Sequence, residues 1–290
     1  MSIVPASSNS IFPEEVRELD FCTERYEKVS HKCTQIMEDT VNTIFINPPD
    51  NAFINLNKSK LIVKGRIKKA TDENLDYVAE PLQYSQVSPI NAFVWSMWKT
   101  FNVYAGRDKK EVLFKSNHGL YGTVNYIKEL KKAKYGQRKK RNIIFAIDND
   151  GGVQINTVGG GSEGLENRAL MFKNSNTVTM VADLNFPAAN KNILLPCGLN
   201  LMFEFELASN QSNLIIPTAL FGGDNNQNQL PDVHYKFELL GVEIQLCQVY
   251  LKENPFIAYT ALLKENPFLH FIDDYEIKVN RFNLFCNISS

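Results

Sequence analysis

Apolar and polar residues alternate with a period of two along several separate stretches of this chain. After the run VNTIFI at 41–46, Leu61, Val63, Gly65 and Ile67 fall on one side and Ile62, Lys64, Arg66 and Lys68 on the other. Successive side chains of a strand point to opposite faces, so this spacing predicts a half-buried strand with its charges in water. Val178, Met180, Ala182 and Leu184 repeat the pattern, as do Leu199, Leu201, Phe203, Phe205 and Leu207 against Asn200, Glu204 and Glu206. Phe203 and Phe205 are therefore expected in a core and Glu204 and Glu206 in solvent. Antiparallel strands with one buried face account for all of these runs.

Between Tyr235 and Leu251 the alternation changes phase. Tyr235, Phe237 and Leu239 share one face, while Leu240, Val242, Ile244 and Leu246 fall on what would be the opposite one. One extra residue near Leu239 to Gly241, a β-bulge, would return both sets to the same side. A helical period occurs once in the middle of the chain, in GLYGTVNYIKELKKA at 119–133, where Leu120, Val124, Ile127 and Leu130 recur at the right spacing. A single helix among many strands argues against repeated βαβ units and a parallel sheet.

The densest apolar stretch is YSQVSPINAFVWSMWKTF at 84–101, which places Ile90, Phe93, Val94, Trp95, Met97, Trp98 and Phe101 within a few turns of chain. That much apolar surface must be covered by the chain's own core or by a neighbour. Phe93, Trp95 and Trp98 are accordingly candidate subunit-interface residues. Residues 1–40 are polar and mixed and read as an N-terminal arm, 41–251 as one β-sandwich, and 252–290 as a connector with the start of a further strand region. DNDGGVQINTVGGGSEG at 148–164 and FGGDNNQNQLP at 221–231 read as long loops.

Composition narrows the classes. At 290 residues, with 44% hydrophobic and 22% charged, the chain is globular, and a formal net charge of −1 gives no overall pull toward nucleic acid. The five cysteines are scattered without a C-x-x-C pair, so neither a disulfide framework nor a zinc ribbon is indicated. The start of the chain lacks a charged segment followed by an apolar one, and no uncharged apolar run is long enough to span a bilayer.

Candidate chemistry is sparse. Gly159, Gly161 and Gly164 satisfy G-x-G-x-x-G, but a lone glycine-rich loop outside β-α alternation reads as a solvated loop before it reads as a dinucleotide site. Cys22, His31 and Cys33 lie close in sequence, yet a tetrahedral zinc site needs a fourth ligand and tighter pairing. His118, His234 and His270 are isolated, and the carboxylate pairs Glu14-Glu15 and Asp273-Asp274 point apart on any regular element. No catalytic, cofactor or metal residue is assigned. Among the cations of 131–141, Arg138, Lys139, Lys140 and Arg141 fit a solvated helix end, a nuclear localisation signal or a phosphate-contacting surface.

In chain order, the segments DNAFINLNKSKLIVKGRI, VSPINAFVWSMWKTFNVY, LYGTVNYIKELKKA, GSEGLENRALMF, VADLNFPAANKNILLPCGLNLMFEFEL and YKFELLGVEIQLCQVYL resemble the double-jelly-roll major capsid proteins of Polinton/Maverick and adintovirus-like elements. GSEGLENRALMF matches what in that family is a glycine-leucine loop. The resemblance implies an all-β antiparallel jelly-roll sandwich with one inserted helix and an N-terminal arm, and self-assembly into trimeric capsomers. Other capsid proteins, and nonspecifically nucleic acid, are the further implied partners, with no membrane. The implied location is the virion, with the host nucleus or cytoplasm during assembly. It also implies that the chain is cut short after the first jelly roll, DDYEIKVNRFNLFCNISS being the first strand of a second. Two other readings stay open: a non-viral sandwich that binds carbohydrate or protein through its long loops, and an enzyme using the Gly159 to Gly164 loop.

Overall fold

The computed structural model describes residues 23–33, 36, 40–70, 87–90, 93–106, 111–116, 121–122, 163–190, 194–208, 215–217 and 234–265. The alternating stretches are strands. In chain order the elements are β1 (Thr23–Lys32), β2 (Asn42–Ile46), β3 (Phe53–Ala70), β4 (Val87–Pro89), α1 (Phe93–Ser96), β5 (Trp98–Ala105), β6 (Glu111–Phe114) and α2 (Glu163–Phe172). After α2 come β7 (Val178–Asp183), β8 (Leu194–Leu195), β9 (Leu201–Leu207), β10 (Ile215–Pro217), β11 (His234–Leu251) and α3 (Glu253–Glu265).

Eight of these strands pair as a nested antiparallel set: β1 with β11, β2 with β9, β3 with β7, and β5 with β6. Pairing outermost with outermost and innermost with innermost is what one long hairpin does. Two further pairings, β11 with β3 and β9 with β5, roll that hairpin up. The result is two facing sheets, β1-β11-β3-β7 and β2-β9-β5-β6, with β8 added beside β3 and a small β4-β10 ribbon apart. The rolled hairpin is the jelly-roll fold, and it stacks two antiparallel sheets over one core.

That core takes Leu61, Val63, Ile67, Met180, Phe237, Val242, Ile244 and Leu246 from the first sheet and Ile44, Ile46, Phe101, Val103, Phe203 and Phe205 from the second. The bulge expected in β11 is present, the register against β3 shifting between Leu239 and Gly241; Leu239 and Val242 point inside, but Leu240, expected with Val242, is the extra residue of the bulge and lies outside. A second shift, between Gln245 and Cys247, was not legible in the sequence. There the 56–59 segment of β3 steps out of the ladder, and the buried Ser59 hydroxyl restores the lost partners. It donates to the Asn55 carbonyl at 2.7 Å and accepts from the Cys247 N–H at 2.9 Å. Beyond it Cys247, Val249 and Leu251 join Phe53 and Leu194 in a second small cluster, against which Phe256 of α3 packs edge-on.

Two expectations change. Thr23–Lys32, placed within the 1–40 arm, is an edge strand of the first sheet; its side chains from Glu24 to Lys28 are exposed, so only its backbone pairing with β11 betrays it. GSEGLENRALMF contains a helix, Glu163–Phe172, with Arg168, Ala169 and Phe172 buried. Of the expected helix at 119–133, only Tyr121 and Gly122 lie within the described residues, and both are helical. DDYEIKVNRFNLFCNISS lies outside them.

On the outer face of the first sheet, Glu238 of β11 takes ion pairs from both Arg66 and Lys68 of β3. Burial alone would raise the Glu238 carboxyl, but the hydrogen bonds and charges of Lys68 and Arg66 outweigh it and hold the group below its ordinary 4.5. A depressed carboxylate stabilises the fold above its ordinary value and loses that contribution as pH falls through the folded one. Urea titrations of wild type and Glu238→Gln should therefore converge as the pH drops below 4.5 and diverge above it. Parallel curves throughout would mean the pair is energetically silent.

Candidate functional site

The apolar segment from Pro89 to Phe101 is built inward. Phe93, Trp95 and Trp98, expected as candidates for a subunit interface, are 1%, 5% and 1% exposed within the chain's own core. The segment crosses from one sheet to the other: Phe93 meets Phe237 edge-on at 5.0 Å on the first, and Trp98 meets Phe205 at 5.3 Å on the second. The Trp95 indole N–H donates to the Asp183 carbonyl at 3.0 Å, and the Ala208 N–H to the Met97 carbonyl at 2.9 Å. Phe101 stacks on Tyr121 at 5.2 Å. The three aromatics fill the space between the sheets.

Sequence reasoning missed Arg168. This arginine of α2 is 1% exposed, and its Nε–H donates to the Pro89 carbonyl at 2.8 Å, which fixes the helix against β4. A lone arginine amid GLENRALMF carries no sequence signal for burial, because a charged residue is inside only where tertiary neighbours supply its acceptors.

The remaining sequence candidates fall as follows. Arg138, Lys139, Lys140 and Arg141 lie outside the described residues, as do Gly159, Gly161, Cys22, His118 and His270. The loops at 148–164 and 221–231 lie outside them too, except for Glu163 and Gly164, which open α2. His234 starts β11 opposite Ala70, remote in sequence from any nucleophile motif. His31 and Cys33 sit two residues apart at the end of β1, where the Cys33 thiol points to the Thr43 carbonyl at 3.8 Å. Among the described residues no three His, Cys, Asp or Glu side chains are grouped to hold a metal ion. No helix among them is long and apolar enough to cross a membrane.

What the described surface does offer is strand edges. Each sheet has two: β1 and β7 in the first, β2 and β6 in the second. An unpaired edge presents backbone N–H and C=O groups to another chain unless charges or brevity guard it. β1 is guarded by Glu24, Arg25, Glu27 and Lys28, and β6 is only four residues long. β2 carries no charge, and Phe45 on it and Val41 before it are 56% and 48% exposed.

No family model and no curated protein sequence matches the chain. Among solved structures, a chain in the 3.5 Å cryo-electron microscopy structure of the Sputnik virophage matches with a TM-score of 0.49 and 13% sequence identity. The match covers 88% of this chain and 53% of that one. This chain thus spans about half the length of the structure it resembles.

Proposed function

We propose that the chain is a structural protein of capsid type, without enzymatic activity, that self-assembles into capsomers and resides in a virion. The observation that carries this reading is a coincidence of sequence and fold. Four of the six segments that resemble the capsid family contain strands of the two facing sheets: β3, β5, the end of β7 with β8 and β9, and β11. A jelly roll alone also serves lectins and cupins, so the ordered segments and not the fold class support the capsid reading. The specific relation to Polinton/Maverick and adintovirus-like elements, the trimer, contacts with other capsid proteins and assembly in the nucleus or cytoplasm belong to the same proposal.

Light scattering of the purified chain over a concentration series, followed by electron microscopy, tests it. Trimers or shell-like particles are the expected result. A monodisperse monomer at every concentration would sink the proposal and favour a binding module. Separately, replacing Arg138, Lys139, Lys140 and Arg141 together with alanine is expected to leave the fold intact and to lower nuclear accumulation or retention on a phosphate matrix. Loss of folding in that variant would show the cluster to be structural.

A further inference from the structure

The last turn of pairing in β1 contains a histidine in an awkward place. From Val29 onward the strand turns alternate side chains inward: Val29 and His31 are half-buried, and Cys33 packs against the main core. The strand is held by backbone pairing to β11, by the Cys33 N–H to the Val242 carbonyl at 2.9 Å, and by the weak thiol contact to Thr43 of β2. Within this seam the Nε2 atom of His31 is shielded from water and has no hydrogen-bond partner. A neutral imidazole tolerates one unpaired nitrogen. An imidazolium has two N–H donors, and sealing one of them away with a positive charge is far more costly.

We propose that β1 is a proton-released edge strand, docked when His31 is neutral and loosened from β11 and β2 when His31 takes up a proton. Among the described residues the ionisable groups around it are few. Glu243 on β11, paired with the neighbouring Lys32, favours the charged imidazole; Lys32 and Cys33 flank His31 in the chain, and β2 contributes no ionisable side chain. Burial outweighs Glu243 and keeps the docked imidazole below its ordinary 6.5. A histidine depressed in the docked state binds more protons when released, so docking is fully stable above 6.5 and weakens as the pH falls below it. An edge strand with one partner and mostly exposed side chains opens at far lower cost than the central β3-β11 ladder. The consequence of protonation is thus local opening, with the sandwich retained.

Hydrogen exchange of the full chain at about pH 7.5 and about pH 5.5, corrected for intrinsic rates, tests this over the range in which histidine titrates. Protection in 23–33 should fall at the lower pH while protection in 60–68 holds. His31→Leu should abolish that fall, and Glu243→Gln should deepen it, because the group favouring the docked charge is gone. Equal losses in wild type and His31→Leu, or no loss in wild type, would overturn the proposal. Nuclear magnetic resonance titration of His31 in the unmodified chain gives a reading that needs no variant: a midpoint at or above 6.5 would overturn it as well.

Discussion

Truncation of Phe203 or Phe205 to alanine is expected to cost about 3–5 kcal/mol, a large share of the total stability of a domain. Both rings are fully buried in β9, the second strand of the second sheet, flanked by β2 and β5. Phe205 packs edge-on against Trp98 at 5.3 Å and Phe203 against Phe101 at 6.3 Å, so each truncation opens a cavity between rings that are themselves fixed. Glu206→Ala is the control on the same strand. Its carboxylate pairs with the half-exposed Lys99 at 2.7 Å, and such pairs contribute less than about 1 kcal/mol. Denaturant titrations of the three variants should separate the two phenylalanines from Glu206 by midpoint; equal midpoints would mean that β9 is not a core strand. Glu204, expected in water from the alternation, is not a valid control. It is 7% exposed, because both faces of β9 are covered, as the full burial of its neighbour Met202 also shows.

The second large effect is expected from Gly65→Val, which should destabilise by about 3 kcal/mol or more through overpacking. By alternation this looks like a benign change, since Gly65 falls on the same inner face as Leu61, Val63 and Ile67 and valine favours strands. The fold forbids it. A Cβ at Gly65 would run into the Phe237 ring and would lie 2.6 Å from the Glu238 carbonyl oxygen. The ring cannot swing aside, because Phe93 at 5.0 Å and Phe172 at 6.3 Å hold it edge-on. Gly241→Ala, at the bulge, meets only the Lys64 Cβ at 3.4 Å and is expected to be close to neutral. Thermal melts of the two variants check the contrast. A Gly65→Val protein as stable as Gly241→Ala would show that Phe237 is free to repack.

The alternation alone marked β3, β7, β9 and β11 as strands and, Glu204 and Leu240 apart, which way their side chains face, because side-chain direction along a strand is local and repeats every two residues. Leu61, Val63, Met180, Phe203 and Val242 were placed inward on that ground alone, and the phase change near Leu239 to Gly241 fixed the bulge. Likewise the apolar load from Ile90 to Phe101 required cover. What covers it was a tertiary matter: the same Phe93, Trp95 and Trp98 would suit a neighbouring subunit or the gap between two sheets, and only the rolled pairing of strands far apart in sequence puts them in the gap. The same pairing lays the Phe237 ring over Gly65, turns Glu204 into a buried residue, supplies Pro89 as acceptor for Arg168, and recruits the charged β1 into a sheet. None of these has a local signature, since each depends on which distant strand arrives alongside, and that is decided by the closing of the whole hairpin over one core.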